Sequence, residues 1–157
     1  MTAPFHVVLH EPQIPPNTGN SIRLCANTGA TLHLVRPLGF SLDDKHLRRS
    51  GLDYHDLAQV RIHEDFDACL ATLGGARMFA VEVGSASRYT ELAVRAGDAF
   101  LFGCETRGLP PAVLARIGPS RRLSIPMKPG CRSINLSNAV AIVAFEAWRQ
   151  LEFVGGA

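Results

Sequence analysis

The sequence is short of the features that mark secreted, metal-clustered or membrane-spanning chains. Its four cysteines, Cys25, Cys69, Cys104 and Cys131, stand far apart with no CxxC pair. That spacing removes a zinc-ligand motif and a disulfide framework, and leaves buried or half-buried thiols as the expectation. Six histidines are dispersed along the chain, and no metal is assigned. The longest apolar run, Ala139 to Phe145, is too short to cross a membrane. The first residues lack the basic-then-apolar layout of a secretion signal, so a cytoplasmic location is expected. P-loop and GxSxG motifs are absent. So is the glycine-rich turn of a dinucleotide fold. In its place stands Glu11-Pro12-Gln13-Ile14-Pro15-Pro16-Asn17, which disfavours a nucleotide-binding oxidoreductase. A net charge of +2 permits a nucleic-acid partner without arguing for one.

What is present reads as a single domain over residues 1–157, with short apolar strands alternating with helical segments. That alternation predicts an α/β fold with a mainly parallel sheet. Strands are expected at Phe5–Leu9, Thr31–Val35, Ala58–Ile62, Met78–Val83, Ala99–Phe102 and Leu123–Ile125. Asn17 is placed as the cap of a first helix that Gly29 ends. Further helices are expected at Glu64–Leu73, stopped by Gly74-Gly75, and at Pro110–Arg116. The last helix carries Leu136, Val140, Val143, Ala144, Ala147 and Leu151 at helical spacing, and Ala139, Ile142 and Phe145 make its remaining circumference apolar too. A helix apolar nearly all round needs cover on more than one side, which predicts a homodimer built through this C-terminal helix.

Three stretches can carry chemistry. In the first, Asn17 to Asn27, residues Asn20, Arg23 and Asn27 share one polar stripe, and amides at a helix start with an arginine one turn in suit a phosphate or ribose. The plainer reading is a capping Asn17 and a solvated arginine. The second, Phe102 to Pro110, leaves a buried strand through Gly103, where ligands of parallel sheets collect. The plainer reading is a turn with a surface ion pair from Glu105. The third, Ile125 to Ala139, runs a proline- and glycine-rich loop into the apolar helix. There Ser133, Asn135, Ser137 and Asn138 exceed what one cap needs. Basic residues gather at Lys45-His46-Leu47-Arg48-Arg49, at Arg121-Arg122, and at Lys128 with Arg132. If one face collects them they would hold a phosphate backbone.

Taken together, these stretches resemble the three motifs of the SPOUT class of RNA methyltransferases: Asn17 through Arg23; Gly103-Cys-Glu105-Thr-Arg107-Gly108-Leu109-Pro110; and Ser133-Ile-Asn135-Leu-Ser137-Asn138-Ala139. Further stretches, among them Asp43-Asp-Lys, Gly51-Leu-Asp-Tyr-His and Glu146-Ala-Trp-Arg-Gln, resemble its wobble-nucleotide tRNA 2′-O-methyltransferases over nearly the whole chain. The resemblance implies a parallel-sheet SPOUT fold with a C-terminal trefoil knot, S-adenosylmethionine as cofactor with S-adenosylhomocysteine as product, tRNA as substrate, and a homodimer. It places the cofactor against Val81, Gly103, Ile125 and Ser133, with Met127 and Leu136 as apolar neighbours and Asn135 shaping the loop. It points to Arg23, reaching from one subunit to the cofactor of the other, and to Asn17, Glu105, Ser137 and Asn138 as the catalytic set. A guanidinium is a poor base, so Arg23 is expected to grip phosphate or steady the emerging alkoxide. The alternatives are a ribose methylase for another tRNA position or for ribosomal RNA, and an inactive RNA-binding dimer.

Overall fold

A computed structural model describes residues 2–43, 45 and 51–157. Seven parallel strands make one sheet: β1 (His6–His10), β2 (Thr31–Val35), β3 (Val60–His63), β4 (Met78–Val81), β5 (Ser87–Arg88), β6 (Ala99–Phe102) and β7 (Arg122–Ser124). They lie in the order β3-β2-β1-β6-β4-β7-β5. Among the described residues, the α-helices with stated bounds are α1 (Pro15–Thr28), a single turn α2 (Tyr54–Leu57), α3 (Phe66–Leu73), α4 (Pro111–Ile117) and α5 (Leu136–Gln150).

The central strands read as unbroken apolar runs because both of their faces are covered. On one face Phe5, Val7, Leu9, Leu32, Phe100 and Phe102 pack against Ile22 and Cys25 of α1 and Val140, Val143 and Ala144 of α5. On the other, Val8, Val35, Ala80 and Leu101 pack against Phe66 and Cys69 of α3 and Val113 of α4. Successive residues of a strand point to opposite faces, which is why Val7 and Val8 fall in different cores.

Several boundaries differ from those expected. Strand β1 runs one residue further, through His10, and β3 starts at Val60 and ends at His63. Strand β4 stops at Val81: Glu82 N–H still reaches Leu123 O of β7 at 2.9 Å, but among the described residues Val83 has no strand beside it to pair with. Strand β7 begins at Arg122 and ends at Ser124. Helix α3 starts at Phe66, capped by Asp65 Oδ1 accepting from Ala68 N–H, and Glu64 stays outside it. Helix α4 is shifted one residue, to Pro111–Ile117. Gly29 does end α1, in the left-handed conformation at φ 82°. The placing of Asn17 as a cap is overturned: α1 begins at Pro15, with the two prolines in its first turn and Ile14 before them, and Asn17 lies buried within that turn. Cys25, Cys69 and Cys104 are buried as expected, whereas Cys131 is exposed on its glycine-marked loop. Asp44 and the basic residues at 46–50 lie outside the described residues.

Three of the dispersed histidines meet between the sheet and α3. His6 Nδ1 lies 3.0 Å from His33 Nε2, and His33 Nδ1 lies 2.9 Å from His63 Nε2. Each pairing steps two residues along the neighbouring strand, which keeps all three rings on one face. Burial, then the neighbouring His6, His63 and Arg61, hold His33 down at about 3, so the row is neutral at ordinary pH. Ligand-type atoms of His33, His63 and Cys69 lie within 4.8 Å of one another. Both ring nitrogens of His33 are already paired within the row, which satisfies buried polar atoms without an ion.

Candidate active site

The three motif stretches converge where β1, β4 and β6 end. A cleft of about 390 Å³ lies there, walled by Asn17, Glu82, Gly103, Glu105, Ser133 and Leu136, with Phe102, Ile134, Asn135 and Ala139 among the rest. The C-terminal edge of a parallel sheet is where strand ends fan apart and leave backbone groups open to a ligand.

One carboxylate ties the site together. Glu105 Oε1 accepts from Gln13 N–H at 2.8 Å; its Oε2 accepts from Ile14 N–H at 2.8 Å and from Asn17 Nδ2 at 3.1 Å. The start of α1 has no cap from its own side chains, so an acid about ninety residues away closes it. A negative charge at a helix N-terminus is favourable, and hydrogen bonds to a charged group contribute about 1.5–3 kcal/mol. The surface ion pair considered for Glu105 is not what forms.

Asn17 passes the connection on. Its Oδ1 accepts from Asn135 Nδ2 at 3.0 Å, so this buried amide both donates and accepts. Asn135 Oδ1 in turn accepts from Ser137 Oγ at 2.7 Å and from Asn138 N–H at 3.2 Å, which caps α5. Glu105, Asn17, Asn135 and Ser137 thus form one continuous chain through all three motifs. The surplus of polar groups before α5 is accounted for: one residue caps the helix, and its amide group reaches across to α1.

Gly103 is fixed by crowding. A Cβ there would lie 2.2 Å from the carbonyl carbon of Gly108 and 2.4 Å from Leu109 N, contacts no side chain tolerates. The loop after it doubles back, with Gly108 N–H donating to Cys104 O at 3.0 Å and Gly108 at φ 68°. Leu109 N–H then donates to Glu82 Oε1 at 3.0 Å.

Of the residues expected against a cofactor, Gly103, Ser133, Asn135 and Leu136 wall the cleft. Val81, Ile125 and Met127 do not; Val81 and Ile125 pack against the core behind it. Of the expected catalytic set, Asn17 and Glu105 are in the wall, while Ser137 and Asn138 join it through Asn135. Arg23 is not in the wall of its own chain's cleft. It sits two turns along α1, on an exposed stripe with Asn20 and Asn27, and its Nη1 donates to Gly51 O at 3.1 Å. Glu82 was missed. Its signal was an acid interrupting the apolar segment Met78–Val83, which a reading by strand propensity passes over.

Comparison with known proteins defines the class. Residues 4–145 match the model of the SpoU rRNA Methylase family, and the chain belongs to that family of methyltransferases. Within it, the chain is similar to proteins named tRNA (cytidine(34)-2'-O)-methyltransferase. It is 59% identical to that of Burkholderia pseudomallei (strain 1106a) over 98% of this chain and 99% of the relative. It is 49% identical to that of Escherichia coli (strain K12) over 96% of each. A solved structure described as giving structural insights into the 2-OH methylation of C/U34 on tRNA superposes with a TM-score of 0.88 at 46% identity, over 97% of this chain and 93% of the other. An AdoMet-bound rRNA methyltransferase from Sinorhizobium meliloti shares the fold at a TM-score of 0.80 and 25% identity, over 96% of this chain and 59% of the other.

Proposed function

We propose that the chain is a tRNA (cytidine(34)-2′-O)-methyltransferase that methylates the ribose 2′-hydroxyl of the wobble nucleotide, cytidine or modified uridine. The observation that carries the reading is the side-chain chain from Glu105 through Asn17 and Asn135 to Ser137, which locks three separate motifs around one cleft. Full-length identity to relatives of that name supports the substrate and position.

The cleft fits S-adenosylmethionine. Leu136 and Phe102 supply an apolar wall, and Ser133 and Asn135 offer polar groups, beside a loop whose tight turn-back Gly103 permits. Gly103, Ser133, Asn135 and Leu136 would hold the cofactor, with Val81 and Ile125 packed against the core behind them. When bound, S-adenosylmethionine supplies a methyl group already activated on a sulfonium. The chain's own residues then have to orient a ribose and manage its proton. Ser137 and Asn138, held by Asn135, orient the ribose. Arg23 grips the substrate phosphate or steadies the developing alkoxide. Glu105 acts by fixing the start of α1 and so the direction of the helix that bears Arg23.

Because Arg23 lies outside its own chain's cleft, the reading includes a homodimer in which Arg23 of a second copy completes the site. Exposed apolar groups near the ends of α1 and α5, Ile14, Phe145, Phe153 and Val154, are consistent with that cover. It also includes a trefoil knot formed by the loops of the second and third motifs, at 103–110 and 133–139. A cytoplasmic site of action follows from the tRNA substrate.

The deciding experiment is methyl transfer from labelled S-adenosylmethionine to bulk tRNA, with the nucleosides then identified by mass. A 2′-O-methylated pyrimidine mapping to the wobble position is expected. Cofactor binding without transfer to tRNA would favour ribosomal RNA as substrate, and no cofactor binding would favour an inactive RNA-binding dimer. Arg23→Ala is expected to abolish transfer while leaving the affinity for S-adenosylhomocysteine nearly unchanged; a matching loss of cofactor affinity would remove Arg23 from the substrate side.

A further inference from the structure

Glu82 is the second acid of the cleft, and its environment is unlike that of Glu105. Glu105 accepts three N–H groups across its two oxygens. Glu82 is also half-buried, yet it accepts one, from Leu109 N–H on Oε1. Among the described residues neither a hydrogen bond nor an ion pair reaches Oε2. Glu82 walls the cleft, and its Oε2 can accept from a ligand donor without displacing the Leu109 bond on Oε1.

Its place in the fold says what kind of donor suits it. Glu82 is the first residue beyond β4, whose last residue Val81 pairs with Phe102 in β6 directly before Gly103. Its own N–H is bonded to Leu123 O of β7. An acid just past the end of a parallel strand, in the wall of a cleft at the sheet's C-terminal edge, is the kind of group with which nucleotide-binding α/β sheets hold a ribose hydroxyl. A vicinal diol offers two neutral O–H donors. The amino-acid end of S-adenosylmethionine is a zwitterion, whose carboxylate would be repelled by Glu82 while its ammonium would be attracted, whereas the diol brings donors alone.

We infer that Glu82 is a cofactor-binding residue whose carboxylate accepts the ribose hydroxyls of S-adenosylmethionine while Leu109 N–H holds it in place. This inference rests on the cofactor reading above. Glu82 therefore selects the nucleoside rather than the methionine end.

The test is calorimetric titration of the dimeric or monomeric full chain, as it occurs, with S-adenosylhomocysteine and with 5′-methylthioadenosine, which lacks the amino-acid tail. Glu82→Gln keeps an oxygen for Leu109 N–H and replaces the other with an NH₂ group. Losing hydrogen bonds to a charged group corresponds to about a tenfold or greater loss of affinity, expected equally for both ligands. Loss for S-adenosylhomocysteine alone would assign Glu82 to the ammonium and overturn the inference. Unchanged affinity for both would reduce Glu82 to a brace for the loop. A second measurement uses only the unaltered protein: adenosine should compete about tenfold or more better than 2′,3′-dideoxyadenosine, and equal competition would also overturn it. Failure of the unaltered protein to bind S-adenosylhomocysteine at all would instead sink the cofactor reading.

Discussion

At the scale of single residues, the site depends on groups that act through each other. Removing the Glu105 carboxylate leaves the amides of Gln13 and Ile14 and the Asn17 side chain without their acceptor. Glu105→Ala is therefore expected to cost about 1–3 kcal/mol of stability and to depress methyl transfer together with it. Thermal melting reads the first and the transfer assay the second; an unchanged melt with lost transfer would show that Glu105 touches the reacting groups directly. Gly103→Ala is a harsher change, because its Cβ meets backbone at 2.2 Å with no side chain to move aside. It should abolish S-adenosylhomocysteine binding and lower the melting temperature by many degrees, and a variant that still binds would mean the Gly108–Leu109 backbone yields easily.

At the scale of elements, the layout was largely legible from the sequence, and the misses share a cause. Strands β2 and β6, buried on both faces, announced themselves as apolar runs with turn residues at each end. Strand ends were misjudged where pairing rather than composition decides them: Val83 is as apolar as Val81 but has no strand beside it to pair with. Strand β5 has two exposed residues and no apolar pattern to find. The start of α1 was misplaced because Asn17 has the chemistry of a cap. Its side chain is instead taken up by Glu105 and Asn135, from regions that sequence proximity could not connect. The loop of Gly103 and Glu105 and the polar surplus around Asn135 stand out in the sequence, while the bonding of Glu105 and Asn135 through Asn17 is visible only in three dimensions. Helix α5 buries Leu136, Val140, Val143, Ala144 and Ala147 while Phe145 stays exposed. On that basis Phe145→Asp should leave the monomer fold intact, by circular dichroism, while shifting sedimentation from dimer to monomer. Sedimentation of the unaltered protein as a monomer would remove the cover expected for this helix.

At the scale of the whole molecule, the histidine row sets a pH dependence. Burial lowers His6, His33 and His63 below the ordinary histidine value, to about 3 for His33. In the unfolded chain these rings take up protons near pH 6.5, so their contribution to stability is complete above that value. It is lost as pH falls from 6.5 toward the folded values. Denaturant unfolding should therefore show stability declining already between pH 7 and 5.5, where carboxylates scarcely titrate. A flat profile over that window would mean the row accommodates a proton without cost.

The strand order carries one more consequence, for the chain as it is made. Strand β1 is the first to be synthesised, yet its two neighbours come at very different times: β2 pairs within about twenty-five residues, whereas β6 arrives with the pairing of His6 to Ala99. Until then Val7, Val8 and Leu9 present an apolar, unpaired edge while about ninety further residues are made. Nascent or truncated chains ending before β6 thus carry a strand paired on one edge only, the situation in which aggregation competes with folding. The sheet that brings the cleft together is consequently one that closes late, and its first strand waits longest.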